Sequence, residues 1–258
     1  MEKKSAIILS HWKGHTPKLL SRELGLKVLR PTEDISRAAV ILNWGVGSRP
    51  DSYLESKVIN GFEAVSCSSS KLHSLRQLSS SKVPCPVFST EKEEARSWLR
   101  DGKSIVVRHK LTGKGGEGAE VIKVAEYLDS GADSAEIPLA RLYTRYFPKV
   151  REVRVHVVGQ EIIGYAQKKR AVIGHDEKAD FWIRTHNRGW IFATEGIERD
   201  NLACSAAVAA IDCLGLDFGA VDVGIDRFDN VCVFEVNTAP GLQGKTLAAY
   251  IHAIQGSL

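Results

Sequence analysis

GAVDVGID (residues 219–226) and VCVFEVN (residues 231–237) decide the reading of this chain. Each run alternates with a period of two, as strands do. Only RFDN, residues 227–230, separates them, so they read as the arms of an antiparallel hairpin with its turn around Phe228 and Asp229. A symmetric turn sets Asp222 directly opposite Glu235 and puts Asn237 on the face of Glu235. Val221, Val223, Ile225, Phe234 and Val236 then point to the other face and into a core. Opposed carboxylates repel each other. A cation relieves that repulsion, and magnesium suits the set, because it takes oxygen ligands from one or two carboxylates plus substrate phosphates. The competing reading is a solvated polar face with an accidental acidic pair.

Upstream, residues 5–9 and 38–43 read as buried strands, with a helix over 17–25 between them that stops at Gly25. Strand, helix and strand in that order predict a small α/β lobe with a parallel sheet over residues 1–65. The serine-rich patch 66–70 marks a boundary and caps a helix over 71–78. A helix over 91–100 with Thr90 as its cap, a strand over 104–107, a glycine-rich stretch over 112–118 and an extended run over 119–124 make a second unit, 66–142. The third, 143–258, is strand-rich: 151–158, a turn at Gly159-Gln160, and 161–167. A polar, basic loop over 174–190 and a helix over 199–214, halted by Gly215, lead into the hairpin.

The 258 residues are 43% apolar and 26% charged, an ordinary globular profile. A net charge of +4 is too weak to argue for nucleic acid, yet it fits an anionic ligand. None of the five cysteines forms a C-x-x-C pair or a zinc-spaced cluster, which reads as thiols in a reducing compartment. The apolar run at 6–9 is too short for a signal peptide and no stretch is long enough to span a bilayer, so a soluble, cytoplasmic protein with no membrane partner is expected.

Two other stretches compete as nucleotide motifs. Residues 113–118, GKGGEG, match G-x-G-x-x-G, but AEVIKV follows them and reads as a strand. A dinucleotide site needs a helix there. The stretch is then a hairpin whose backbone amides can close over phosphates, or an ordinary glycine-rich turn. APGLQGKT, residues 239–246, fits a relaxed P-loop, but only twelve residues follow Thr246 and the later magnesium-binding strand has no room. It reads as a loop on the substrate side.

AVDVGID followed by FEVNTAPGL resembles the metal-binding end of the ATP-grasp superfamily, which includes D-alanine–D-alanine ligase, glutathione synthetase and the ribosomal-protein glutamate ligases. The likeness covers about residues 66–246, and the E-x-N-x-x-P-G element is its most specific part. It implies an ATP-grasp fold, in which two α+β subdomains grip ATP, here preceded by the small parallel α/β lobe. By position, Asp222, Glu235 and Asn237 would hold magnesium, with manganese as a substitute, and Lys71 would be the first ATP-binding lysine. Arg108 stands where the family usually has a second lysine, with Lys110 as a substitute. Gly113, Gly115, Gly116 and Gly118 match the flexible flap. Tyr143, Thr144, Arg145, Tyr146 and Phe147 correspond to the hinge whose backbone meets adenine, where Thr144-Arg145 replaces the usual Gln-Glu. Glu152 matches the ribose-binding acid, with Arg154 on its face, and Lys168, Arg170, Arg184 and Arg188 resemble the group that grips the γ-phosphate or the acylphosphate.

The resemblance is nearest to the glutamate-ligase and glutathione-synthetase branch, through DFWIRTHNRGW at 180–190. Ala220 stands where D-alanine–D-alanine ligases carry an arginine, which argues against that activity. The implied reaction joins a carboxylate to an amine through an acylphosphate, releasing ADP and phosphate. The carboxylate and amine would belong to small molecules or peptides, and a homo-oligomer is compatible with the sequence. Phosphorylation of an alcohol and a non-catalytic ATP-binding module are the rival functions. No histidine is assigned a role.

Overall fold

The computed structural model describes residues 5–113, 116–129, 136–171, 179–256 and 258. Its strands form three sheets. The first is parallel, ordered β2-β1-β3-β4, from β1 (Ser5–Leu9), β2 (Lys27–Leu29), β3 (Ala38–Asn43) and β4 (Lys57–Ile59). Helix α1 (His15–Leu24) connects β1 to β2, and Gly25 ends it at a φ of 67°. That left-handed turn is open to glycine without steric cost. The short strands β2 and β4 carry no periodic signal of their own and were not expected.

Helices α2 (Phe62–Ser69) and α3 (Lys71–Ser80) follow, and the expected division between residues 65 and 66 falls inside α2. Ser70 caps α3 by accepting from the His73 amide. The second sheet is antiparallel, ordered β5-β8-β6-β7, from β5 (Phe88–Ser89), β6 (Ile105–Arg108), β7 (Ala119–Ile122) and β8 (Leu142–Arg145). Strand β8 lies in this sheet, across the expected division at 142–143. Helix α4 (Lys92–Arg100) packs against it through Ala95, Trp98 and Leu99. Its N-cap is Glu91 rather than Thr90, whose hydroxyl is bonded to the Glu91 side chain. Helix α5 (Val124–Asp129) follows β7.

The third sheet carries the hairpin. Its order is β11-β10-β9-β12-β13, all antiparallel, from β9 (Arg151–Val158), β10 (Glu161–Arg170), β11 (Trp190–Ala193), β12 (Phe218–Ile225) and β13 (Val231–Asn237). Helix α6 (Asn201–Cys213) covers one face, where Val153, Val155, Val157, Val221, Val223, Val233 and Val236 form the main core. The other face is free for polar side chains. Helix α7 (Gly244–Gln255) seats Tyr250 and Ile254 in a cluster with Phe218 and Trp44 that ties the third sheet to the first.

Asp222 pairs with Glu235, as the turn predicts, but a bulge follows: Val223 pairs with Val233, and Phe234 is the extra residue. A bulge puts two consecutive side chains opposite one. Phe234 is therefore not a core residue, and it shares the polar face with Glu235 while Val233 takes the core position. Asp229 makes the hairpin turn with a φ of 61°. No helix among the described residues is long and apolar enough to cross a membrane.

Candidate active site

The polar face of the third sheet presents one side chain from each strand in a row. Reading across β11, β10, β9, β12 and β13, these are Phe192, Lys168, Arg154, Asp222 and Glu235. Phe192 is the direct partner of Lys168, Asp222 is the direct partner of both Arg154 and Glu235, and Lys168 stands diagonally from Arg154, two residues along β10 from its partner Ala166. The row floors a pocket of about 400 Å³, whose opposite wall comes from the second sheet through Val106, Arg108 and Thr144. No residue of the first sheet lines it.

Two cations stand beside two anions on the floor, and opposite charges satisfy one another. Arg154 donates from Nε and Nη2 to the two oxygens of Asp222, at 2.6 and 2.8 Å. Lys168 Nζ stands 3.7 Å from Asp222 and donates to Glu152 and to the Arg184 carbonyl. Lys71, at the start of α3, donates to Glu235. Burial alone would push the Asp222 carboxyl up, but Arg154 and then Lys168 outweigh it and hold it below the ordinary carboxylate value. Glu235 follows the same rule: burial and the neighbouring Asp222 raise it, Lys71 and Arg154 together outweigh them, and the result lies below the usual range. Both acids are thus anions ready to accept a cation.

Magnesium fits this donor set in a specific way. Among the described residues no three His, Cys, Asp or Glu side chains converge on one point. The floor instead offers two carboxylates in register and Asn237, whose amide nitrogen donates to Glu235 at 3.2 Å and leaves Oδ1 as an acceptor. That is too few ligands for a closed protein cage and suits an ion that arrives with phosphate oxygens. Lys71, Arg108, Lys110, Arg145, Lys149, Arg154, Lys168 and Arg184 line the pocket against Glu117, Glu152, Asp222 and Glu235, so the wall carries an excess of positive charge.

Of the residues singled out in the sequence, the pocket gathers Lys71, Arg108, Lys110, Gly113, Gly116, Thr144, Arg145, Tyr146, Phe147, Glu152, Arg154, Lys168, Arg184, Asp222, Glu235 and Asn237. Four do not line it. Tyr143 is wholly buried in the core under α4, its hydroxyl held by Ala140 and Pro138, because alternation along β8 turns it away from Thr144. Gly118 closes the β6–β7 turn behind Lys110. Arg170 is exposed at the end of β10. Arg188 is bonded to Asp180. Gly115 lies outside the described residues. Lys245 and Thr246, the rival P-loop pair, open α7 and stand outside the wall.

Several wall residues were not foreseen. Lys149 is 6% exposed, donates to the Trp182 carbonyl at 2.8 Å and lies 3.8 Å from Glu152. Burial pulls its ammonium down to about 8, against the pull of Glu152. The Tyr146 and Trp182 rings meet at a tilt of 51° with centres 4.5 Å apart, and Arg184 donates to the carbonyls of Lys149 and Val150. These contacts seat residues 182–186 on the hinge side of the pocket, where Ile183 also meets Gly116 of the flap. Phe192 was readable in part, since W-x-F at 190–192 has the period of a strand.

No protein-family profile matches the sequence, and no curated protein matches it either. Solved structures do match in fold. The ATP-grasp ligase PsnB bound to a minimal precursor aligns over 98% of this chain and 99% of its own, with a TM-score of 0.67 and 13% identity. N5-carboxyaminoimidazole synthetase from Staphylococcus aureus, bound to ADP, aligns over 98% of this chain and 77% of its own, at 0.67 and 15%. D-alanine–D-alanine ligase from Bacillus anthracis aligns over 98% and 99%, at 0.64 and 12%. The chain therefore has the ATP-grasp fold.

Proposed function

We propose that this protein is an ATP- and magnesium-dependent ligase that joins a carboxylate to an amine through an acylphosphate. The observation that carries the reading is the row Lys168–Arg154–Asp222–Glu235, in a pocket whose wall holds more cations than acids. A triphosphate and a carboxylate are both anions, and both must enter for this reaction. The fold supports it too, since PsnB, the synthetase and the D-alanine enzyme share it.

The residues divide the work by position. Phe234, Val106, Tyr146 and Phe147 offer an apolar slot for a base, and Glu152 accepts from ribose hydroxyls. Lys71, Arg108 and Lys110 bind phosphates from the second-sheet side, and Arg154, Lys168 and Arg184 from the third. Asp222, Glu235 and Asn237 would hold magnesium, which neutralises charge on the phosphoryl oxygens. A carboxylate oxygen attacks the γ-phosphorus and ADP leaves. The amine nitrogen then attacks the acyl carbon, the carbon–oxygen bond to phosphate breaks, and the amine gives up a proton. The cations are fixed before reaction, so they stabilise the charge that develops without reorganising. Acylphosphates hydrolyse, so the site must exclude water, and the described flap residues Gly113 and Gly116 line it together with residues 182–186.

PsnB was solved with a precursor, and the macrocyclase MdnC with its precursor peptide MdnA from Microcystis aeruginosa. A pocket with no wall from the first sheet leaves room for a substrate of that size, so we assign peptide carboxylates as the first class to test. Purified protein with ATP and magnesium is mixed with pools of amino acids and peptides, and ADP release and product mass are recorded. ADP formation that needs both a carboxylate and an amine, with a product lighter by one water than the two together, is expected. Asp222→Asn should abolish it, a thermal melt checking that the variant, which leaves Arg154 without its carboxylate, is folded under the assay conditions, and Lys245→Ala should leave ATP binding unchanged. Turnover preserved in Asp222→Asn sinks the assignment.

A further inference from the structure

Strand β11 does more than extend the sheet. Its alternate residues Trp190 and Phe192 share a face, and each lies against a cation of the pocket. Phe192 has the Arg154 guanidinium 4.3 Å from its ring centre and Lys168 Nζ at 5.4 Å. Trp190 has the Arg184 guanidinium at 4.4 Å. Arg184 is 7% exposed, and its Nε is buried with no hydrogen-bond partner. Trp190 is fixed by its own indole N–H, which donates to the Asp180 carbonyl at 2.8 Å.

The carboxylates that hold Arg154 and Lys168 are the ones a magnesium–nucleotide complex would engage. Asp222 holds Arg154 through both oxygens, and Glu152 holds Lys168. When a ligand draws those acids toward a metal or a ribose, both cations lose their braces at the moment they are needed. The aromatic faces do not change partners. A guanidinium is weakly hydrated and stacks well on a ring, while its edge still points N–H groups at an anion.

We propose that Phe192 and Trp190 are positioning residues, an aromatic rail on which Phe192 keeps Arg154 and Lys168 aimed at the anionic ligand after their carboxylate partners have been taken, and Trp190 backs Arg184, whose hydrogen-bond partners among the described residues are the Lys149 and Val150 carbonyls. This rests on the reading of the pocket as a polyphosphate site. The rail acts through the cations and touches no reacting atom. Its effect is preorganisation, so it appears on ligand binding rather than in the stability of the free protein.

Phe192 is the residue to change, since it is 40% exposed on an edge strand and its loss leaves the core intact. Phe192→Leu keeps the apolar bulk and removes the ring, and Phe192→Tyr keeps the ring. Calorimetric titration with tripolyphosphate and with ATP, both with magnesium, gives the affinity, and thermal melting of the free protein gives the stability. Phe192→Leu should bind both ligands about tenfold more weakly, Phe192→Tyr should stay within about twofold of the parent, and the melting temperature should not move. In an Arg154→Gln background the Phe192→Leu effect should shrink, because the partner of the ring is gone. Equal binding by the Leu variant and the parent, or equal loss in Leu and Tyr, overturns the rail. A parent that binds tripolyphosphate but not ATP overturns the nucleotide reading and leaves the rail tested on tripolyphosphate. A parent that binds neither overturns both.

Discussion

Arg154 sits across the β9–β12 pair from Asp222 and holds both of its carboxylate oxygens, at 2.6 and 2.8 Å. Asp222 is 3% exposed, so this is a buried bidentate pair, and it sets the behaviour of the floor. Removing one partner of such a pair leaves a charge without compensation. Arg154→Met should destabilise the fold by about 3 kcal/mol, at the lower end for broken buried pairs because Lys168 remains 3.7 Å from Asp222. Urea unfolding at neutral pH measures it. The sign at low pH follows from the depressed Asp222 carboxyl: its contribution is present above the ordinary carboxylate range and is lost as pH falls through the folded value. The gap between parent and Arg154→Met should therefore narrow as the solution is acidified below that range. A gap that stays constant would contradict the pairing.

Gly224 leaves space for the wall of the pocket. A Cβ there would press into the Phe234 ring, well inside contact distance, and would lie 3.2 Å from the Phe147 ring. Phe234 is the bulged residue of β13 and lines the pocket, so displacing its ring changes the wall. Gly224→Ala should cost about 1–3 kcal/mol through overpacking and weaken nucleotide binding about tenfold. Phe234→Leu in the same chain should recover the stability. Calorimetric titration and thermal melting of the single and double variants separate the two effects. A Gly224→Ala protein that binds nucleotide like the parent would show that Phe234 does not wall the base slot.

Asn60 joins the first sheet to the third. It is fully buried with a φ of 62°. Its Oδ1 accepts from the amides of Asp217 at 2.7 Å and Phe218 at 3.0 Å, and its Nδ2 donates to the Phe218 carbonyl at 3.0 Å. Asn60→Ala orphans those buried backbone groups and adds a left-handed strain, and should cost about 4 kcal/mol. Asn60→Gly loses the same bonds without the strain and should be the more stable of the two by about 1 kcal/mol. Denaturant midpoints decide, and equal stability of Ala and Gly would remove the backbone part of the explanation.

The hairpin was legible because a four-residue turn leaves little choice of register, and the Asp222–Glu235 opposition follows from it. The bulge was not, since one extra residue leaves no mark on the alternation, and it shows only in the pairing of Val223 with Val233. Lys71 could be placed because a serine cap fixes where α3 begins. Tyr143 was named with the hinge for its backbone, and alternation along β8 sends its side chain into the core and not into the pocket. Arg170 and Arg188 were named through the resemblance, and only the fold shows that Arg188 is bonded to Asp180. Lys149 carries no motif at all. Its role depends on Trp182 and Glu152, which no local pattern links to it.

Lys149 supplies the last prediction. A lysine pulled from its ordinary value of 10.5 to about 8 holds fewer protons in the folded state than in the unfolded state between those two values. Stability then rises with pH across that window, and below it the full cost of the buried charge is present, about 3 kcal/mol for a shift of this size. Lys149→Met removes the charge and also the bond to the Trp182 carbonyl, whose loss returns about 1 kcal/mol of that cost. The variant should therefore be more stable than the parent by about 2 kcal/mol below pH 8, and the advantage should disappear as pH rises toward 10.5. Its nucleotide affinity should fall, because Trp182 and the segment 182–186 lose their tie to the hinge. Urea midpoints at pH 7 and pH 10 measure the first effect. A difference that is the same at both would mean that Lys149 is not titrating in the folded protein within this window.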